Sequence, residues 1–136
     1  MRCLDSTYFI DLIRNPELID GITKKIDADP IVYTTTFNVY ECMVGVFSIK
    51  NGILRQKAYD KLNKAITRTT ILPFNPPDAL KAAEIGGTLR RKGRTIGADA
   101  ITAAIVINNG IDTIVTRNPK HFEMIARDFK LTVESY

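Results

Sequence analysis

Three carboxylates lie among apolar neighbours, and together they define the chemistry this chain could do. Asp5 closes the short run Arg2-Cys3-Leu4, Glu41 stands between Tyr40 and Cys42, and Asp99 interrupts Ile96-Gly97-Ala98-Asp99-Ala100-Ile101. From Ile96 to Ile107 only Asp99 and Thr102 are polar side chains. An all-apolar helix is a buried helix, and a buried carboxylate needs a partner. Each acid also has an ordinary alternative. Asp5 and Asp99 could cap the helices that follow them, and Glu41 could face solvent. Capping does not account for Glu41, which lies well inside its helix and shares a face with Gly45 and Ser48 at i, i+4 and i+7. Those small residues would let another backbone approach.

Three acids meeting in one pocket would raise one another's pKa unless a cation were present. All-oxygen ligation suits Mg²⁺ or Mn²⁺, and such an ion could assist attack of water on a phosphodiester. Other chemistries have less support. His121 is the only histidine, so a Ser-His-Asp or His-rich metal site is disfavoured; it reads as a surface residue of a late helical turn. No Gly-rich dinucleotide or Walker-type phosphate loop occurs, and Gly86-Gly87 falls inside a helix, where it reads as a packing site. Cys3 and Cys42 are too few and too scattered for a disulfide framework and read as small buried hydrophobes.

The elements that must position these acids follow from the patterning. Strands are expected at 2–4, 31–34, 69–72, 113–116 and 131–133. The first is followed by a helix holding Phe9, Ile10, Leu12 and Ile13 and a second opening at Pro16. A helix through about Lys50 carries Phe37, Tyr40, Val44 and Phe47 on one stripe, and Leu54, Ala58, Leu62, Ala65 and Ile66 mark another. A helix from Pro76 stops at Gly93, an apolar helix spans about 98–109, and a short helical turn covers 119–127. Strands alternating with helices predict an α/β fold with a mainly parallel sheet. Sites in such sheets form outside the carboxyl ends of the strands. Asp5, Thr34 to Thr36 and Thr116 to Asn118 would converge there.

With 136 residues and 45% hydrophobic composition, the chain is expected to form one domain, residues 1–136. No apolar run approaches the ~20 residues of a membrane helix, and the N-terminus lacks signal-peptide features. A cytoplasmic protein without a membrane association is expected. The net charge is +4 with a pI near 9.1, which permits a polyanionic partner. Basic residues cluster at Lys50 to Arg68 and at Arg90-Arg91-Lys92 with Arg94. Either cluster could be a solvated helix face.

Taken together, these segments resemble the PIN-domain nucleases, specifically the VapC-like toxins of prokaryotic toxin–antitoxin pairs. Leu4-Asp5-Ser6-Thr7-Tyr8-Phe9-Ile10 is similar to that family's opening strand with its first acid. Tyr40-Glu41-Cys42-Met43-Val44-Gly45 resembles the segment of the second acid, and Ile96 to Ala104 that of the third. Thr116-Arg117-Asn118-Pro119-Lys120-His121-Phe122 resembles the polar turn after the fourth strand. The resemblance covers nearly the whole chain. It implies a three-layer α/β/α sandwich around a mainly parallel sheet and Mg²⁺- or Mn²⁺-dependent endoribonuclease activity on structured RNA. It also implies a homodimer and a small antitoxin whose tail enters the acidic site. Asp5, Glu41 and Asp99 would hold the metal, with Thr116 and Ser6 as supports. Many members carry a fourth acid where Asn118 stands here, so Asn118 is expected only as an uncharged supporting residue. Arg90, Arg91, Lys92 and Arg94 are candidate RNA contacts, placed by charge. Two rivals remain: a catalytically silent PIN-like module that binds RNA or protein, and, more distantly, a receiver-type phosphoacceptor domain.

Overall fold

A computed structural model describes all residues, 1–136. Five strands form one sheet in the order β3-β2-β1-β4-β5: β1 (Arg2–Leu4), β2 (Val32–Thr35), β3 (Thr70–Leu72), β4 (Thr113–Thr116) and β5 (Thr132–Ser135). Every neighbouring pair is parallel. The chain therefore builds outward from β1 in one direction through β2 and β3, then returns to the other side of β1 with β4 and β5. A crevice opens at the carboxyl ends where the strand order reverses, beside β1.

The alternation of side chains along a strand sorts the core into two layers. Cys3 and Ile114 point into one apolar cluster, completed by Ile85, Leu89, Ala103, Ala104, Ile105, Phe122 and Ile125. These come from α5 (Pro76–Arg91), α6 (Asp99–Asn108) and α7 (Lys120–Ala126). Leu4 and Val115, one residue on, point into the opposite cluster with Phe9, Ile22, Cys42, Val46 and Leu62. That layer is α1 (Ser6–Arg14), a 3₁₀ turn (Pro16–Leu18), α2 (Asp20–Ile26), α3 (Thr36–Phe47) and α4 (Gly52–Ile66). The molecule is the expected three-layer α/β/α sandwich. Both cysteines are free and buried, as expected.

Three packing expectations are overturned. Of the stripe Phe37, Tyr40, Val44 and Phe47, Phe37 is half-buried and the other three face outward; α3 instead buries Asn38, Cys42 and Val46. Asn38 decides the orientation, because its amide ties the helix to the sheet. It donates to Leu4 O at 3.0 Å and accepts from Thr102 Oγ1 of α6 at 3.1 Å. Thr34 Oγ1 also donates to Leu4 O, at 2.9 Å. Second, Gly45 has open space where a Cβ would lie, so no backbone approaches beside Glu41. Third, Gly86 and Gly87 likewise meet nothing and are not a packing site.

Asn38→Ala strips fully buried partners of their bonds and is expected to lower the unfolding free energy by about 2 kcal/mol. Tyr40→Ala, on the exposed stripe, should change it by less than about 0.5 kcal/mol. Gly86→Ala should raise it by about 1 kcal/mol, since Gly is a poor helix former and the site has room. Urea denaturation of the metal-free chain checks all three. Equal effects at Asn38 and Tyr40 would contradict the assigned orientation of α3.

Candidate active site

Asp5 is the innermost of the three acids. Its backbone N–H still donates to Val115 O at 3.0 Å, so the sheet fixes its position. The backbone then turns into α1 with Asp5 at the N-cap, but the carboxylate makes no capping bond. It is 4% exposed, and its Oδ2 accepts from Thr116 Oγ1 at 2.8 Å and Thr7 Oγ1 at 3.1 Å. The same hydroxyls accept from the turn after β4: Arg117 N donates to Thr7 Oγ1 and Asn118 N to Thr116 Oγ1, both at 3.0 Å. Burial raises the Asp5 pKa; the Thr116 bond opposes this, and the charge of Asp99 adds to the rise.

Glu41 is half-buried on α3. Its carboxyl is pushed up to about 7 by burial, then by the charges of Asp5 and Asp99, with the Ser6 hydroxyl lowering it in part. Ser6 is thus a neighbour of the second acid, while Thr116 serves the first.

Asp99 corrects two expectations. It is the first residue of α6, reached through Gly97 at φ 56°. Only the helix beyond it is buried; the Asp99 side chain keeps 34% exposure. It makes no capping bond either. Its partner is His121, read from sequence as a bystander: Nδ1 and Oδ2 stand 2.7 Å apart. The imidazole is the donor if the carboxylate is ionised. Asp99, His121 and the exposed Asn118 line a cleft of about 510 Å³ that contains no hydrophobic side chain.

The three carboxylates therefore ring the carboxyl end of β1, closely enough that the charges of Asp5 and Asp99 raise the Glu41 pKa and that of Asp99 raises the Asp5 pKa. They are not drawn together at metal-ligating distance: no set of three His, Cys, Asp or Glu side chains is. Their oxygen-only chemistry fits a hard divalent ion, and their desolvated like charges are what such an ion would neutralise.

Sequence reasoning missed the residues that brace this ring. Asp11, fully buried, accepts from Arg117 Nη1 at 2.7 Å, Tyr136 Oη at 3.1 Å and Asn15 Nδ2 at 3.2 Å. This anchors the Arg117–Pro119 turn to α1. Thr7 and Asn38 complete the bracing. The four-residue basic cluster is divided: Lys92 pairs with Asp128 at 2.6 Å, and Arg91 reaches Thr88 Oγ1 at 3.4 Å. Arg90 and Arg94 line a separate cleft.

A family model described as the PIN domain matches residues 2–128. The chain belongs to the PIN domain family. Its fold is that of VapC-type toxins in solved complexes. The Rickettsia felis VapBC2 complex, bound to a DNA fragment from its promoter, superposes with a TM-score of 0.83 at 22% identity over 99% of this chain and 98% of that one. The structure of FitAcB from Neisseria gonorrhoeae gives 0.79 at 26% identity, over 98% and 96%. The Mycobacterium tuberculosis VapC20 toxin, which cleaves the sarcin–ricin loop, gives 0.67 at 14% identity, over 91% and 95%. No curated protein matches the sequence.

The raised Glu41 makes this PIN domain's stability pH-dependent. Between the ordinary glutamate value of 4.5 and about 7, the unfolded chain has lost a proton that the folded chain keeps. Stability of the metal-free protein should therefore fall as pH rises through that window, by about 1 kcal/mol once solvent screening is allowed for. Asp5, raised in the same direction, adds to the slope. Glu41→Gln should flatten it. Thermal or urea unfolding between pH 5 and 8 in chelator (a range of about three units around the neutral point) measures it, and a wild-type stability that rises with pH there would contradict the assignment.

Proposed function

We infer that this PIN domain is a divalent-metal-dependent endoribonuclease acting as the toxin of a toxin–antitoxin pair. The observation that carries this is the ring of Asp5, Glu41 and Asp99 around one strand end, with Asp5 and Glu41 held above the ordinary carboxylate range by burial and by their neighbours' charges. Such a concentration of desolvated like charge has no value to the fold, and structure spends bonds to maintain it. The similarity to VapC20, described as cleaving the sarcin–ricin loop, supports an RNA substrate.

Asp5, Glu41 and Asp99 would hold Mg²⁺ or Mn²⁺ directly or through water. When bound, that ion supplies Lewis acidity and charge neutralisation for phosphodiester hydrolysis. The chain's own residues do the rest. Thr116 and Thr7 hold the Asp5 carboxylate and tie it to the turn carrying Asn118, an uncharged amide suited to a phosphate oxygen or an ordered water. His121 fixes the Asp99 carboxylate. The Ser6 hydroxyl lies near Glu41 and favours its ionised form.

A small antitoxin is the proposed protein partner, since proteins of this fold are seen in toxin–antitoxin systems, including a complex from Klebsiella pneumoniae. The exposed Tyr40, Val44, Phe47, Ile53 and Leu54 give the chain apolar surface for that partner or for a homodimer. A silent binding module is the second reading. It is favoured by Asn118 in place of a fourth acid and by carboxylates that stand apart without metal.

Asp99→Asn should reduce Mn²⁺-dependent RNA cleavage by about a hundredfold or more, about 2.7 kcal/mol of transition-state stabilisation, with the protein still folded. Undiminished cleavage by that variant rejects the site. Absence of Mn²⁺ binding to the wild type at millimolar metal favours the silent module.

A further inference from the structure

Arg90 and Arg94 are set apart from the other cations of their segment. Lys92 is neutralised by Asp128 and Arg91 bends back to Thr88. Neither Arg90 nor Arg94 has a carboxylate partner. Both line a cleft of about 370 Å³ with Gly86, Gly87 and the 95–97 segment, which runs directly into Asp99. Gly86, Gly87 and Arg90 lie on one face of α5 at helical spacing, and Arg94 follows just beyond the helix end.

The glycines need an explanation of their own. A Cβ at either would meet nothing within 4 Å, so close helix packing does not require them, and each weakens the helix relative to Ala. What they do is keep the floor of the cleft bare beneath two unpaired guanidinium groups. A guanidinium presents a planar fork that matches phosphate oxygens. A bare helix floor lets a sugar–phosphate chain lie close to it.

We propose that this cleft is a phosphate-binding subsite in which Arg90 and Arg94 hold the RNA backbone, over Gly86 and Gly87, on its way to the carboxylate ring. The proposal rests on the nuclease reading of that ring. An acidic peptide could also meet two arginines, but one wall of the cleft is the 95–97 segment, which the chain follows through Ala98 to Asp99, and this favours a strand whose phosphodiester must reach the acids.

The test is fluorescence anisotropy of a labelled single-stranded RNA with the full chain, in chelator to prevent cleavage, across a series of salt concentrations. Arg90→Ala/Arg94→Ala should weaken binding about tenfold and lower the slope of log K against log salt by about 1.4, the value for two lost contacts to a single strand. Gly87→Glu, which puts a carboxylate on the floor, should weaken binding with both arginines intact. Arg91→Ala should leave the slope unchanged. Circular dichroism melts confirm that each variant is folded. If the wild type binds and cleaves RNA but the double variant keeps its slope, the subsite is wrong and the nuclease reading stands. If the wild type neither binds nor cleaves RNA, both fall. If the double variant binds RNA normally but loses binding to polyglutamate, the cleft belongs to an acidic protein partner and the proposal is overturned.

Discussion

The structure depends on keeping the Asp5 carboxylate buried at the end of a central strand. The cost of desolvating that charge is met by two threonine hydroxyls from different segments, Thr7 at the start of α1 and Thr116 at the end of β4. Because those hydroxyls also accept the Arg117 and Asn118 amides, the acid and the turn beside it form one hydrogen-bonded unit. The Asp11–Arg117 pair locks that unit to α1 from the other side. No buried polar side-chain atom in the chain is left without a partner. The strain at this end of the sheet is therefore electrostatic: like charges held near one another by a fully bonded frame.

Topology explains why the frame can exist. β1 lies between β2 and β4, so residues at its carboxyl end can be reached from both layers and from both halves of the chain. Glu41 arrives from the layer containing α3, and Asp99 from the layer containing α6. Asn38 and Thr102 join these layers through a bond of 3.1 Å just below the acids. The spacing between Glu41 and Asp99 is thereby coupled to the sheet itself. The divided basic residues follow the same arrangement, with Arg94 on the segment that delivers Asp99 and Arg90 near the end of the helix before it.

Much of this was legible in the sequence. Short β-branched runs alternating with apolar helices gave the parallel α/β arrangement, and a lone acid closing the run Arg2-Cys3-Leu4 marked the site edge. What was illegible shares one cause: it depends on partners distant in the chain. His121 has no local companion, and its bond to Asp99 crosses 22 residues. The amide of Asn38 reaches Leu4, 34 residues back, and so reverses the face that the apolar stripe of Tyr40, Val44 and Phe47 suggested. Asp11 and Arg117 are 106 residues apart. Gly86-Gly87 misled for a different reason, since composition cannot tell a tight contact from open space.

The proposed chemistry requires that Asp5 and Glu41 be carboxyls forced upward by burial and by neighbouring negative charge, and relieved by a divalent ion. Carbon-detected NMR titration of the two side-chain carboxyls, with and without Mg²⁺, tests this most directly. Both groups should titrate above the ordinary carboxylate range in chelator, Glu41 near 7, and Mg²⁺ should drive both downward. Ordinary carboxylate values that Mg²⁺ does not move would contradict it.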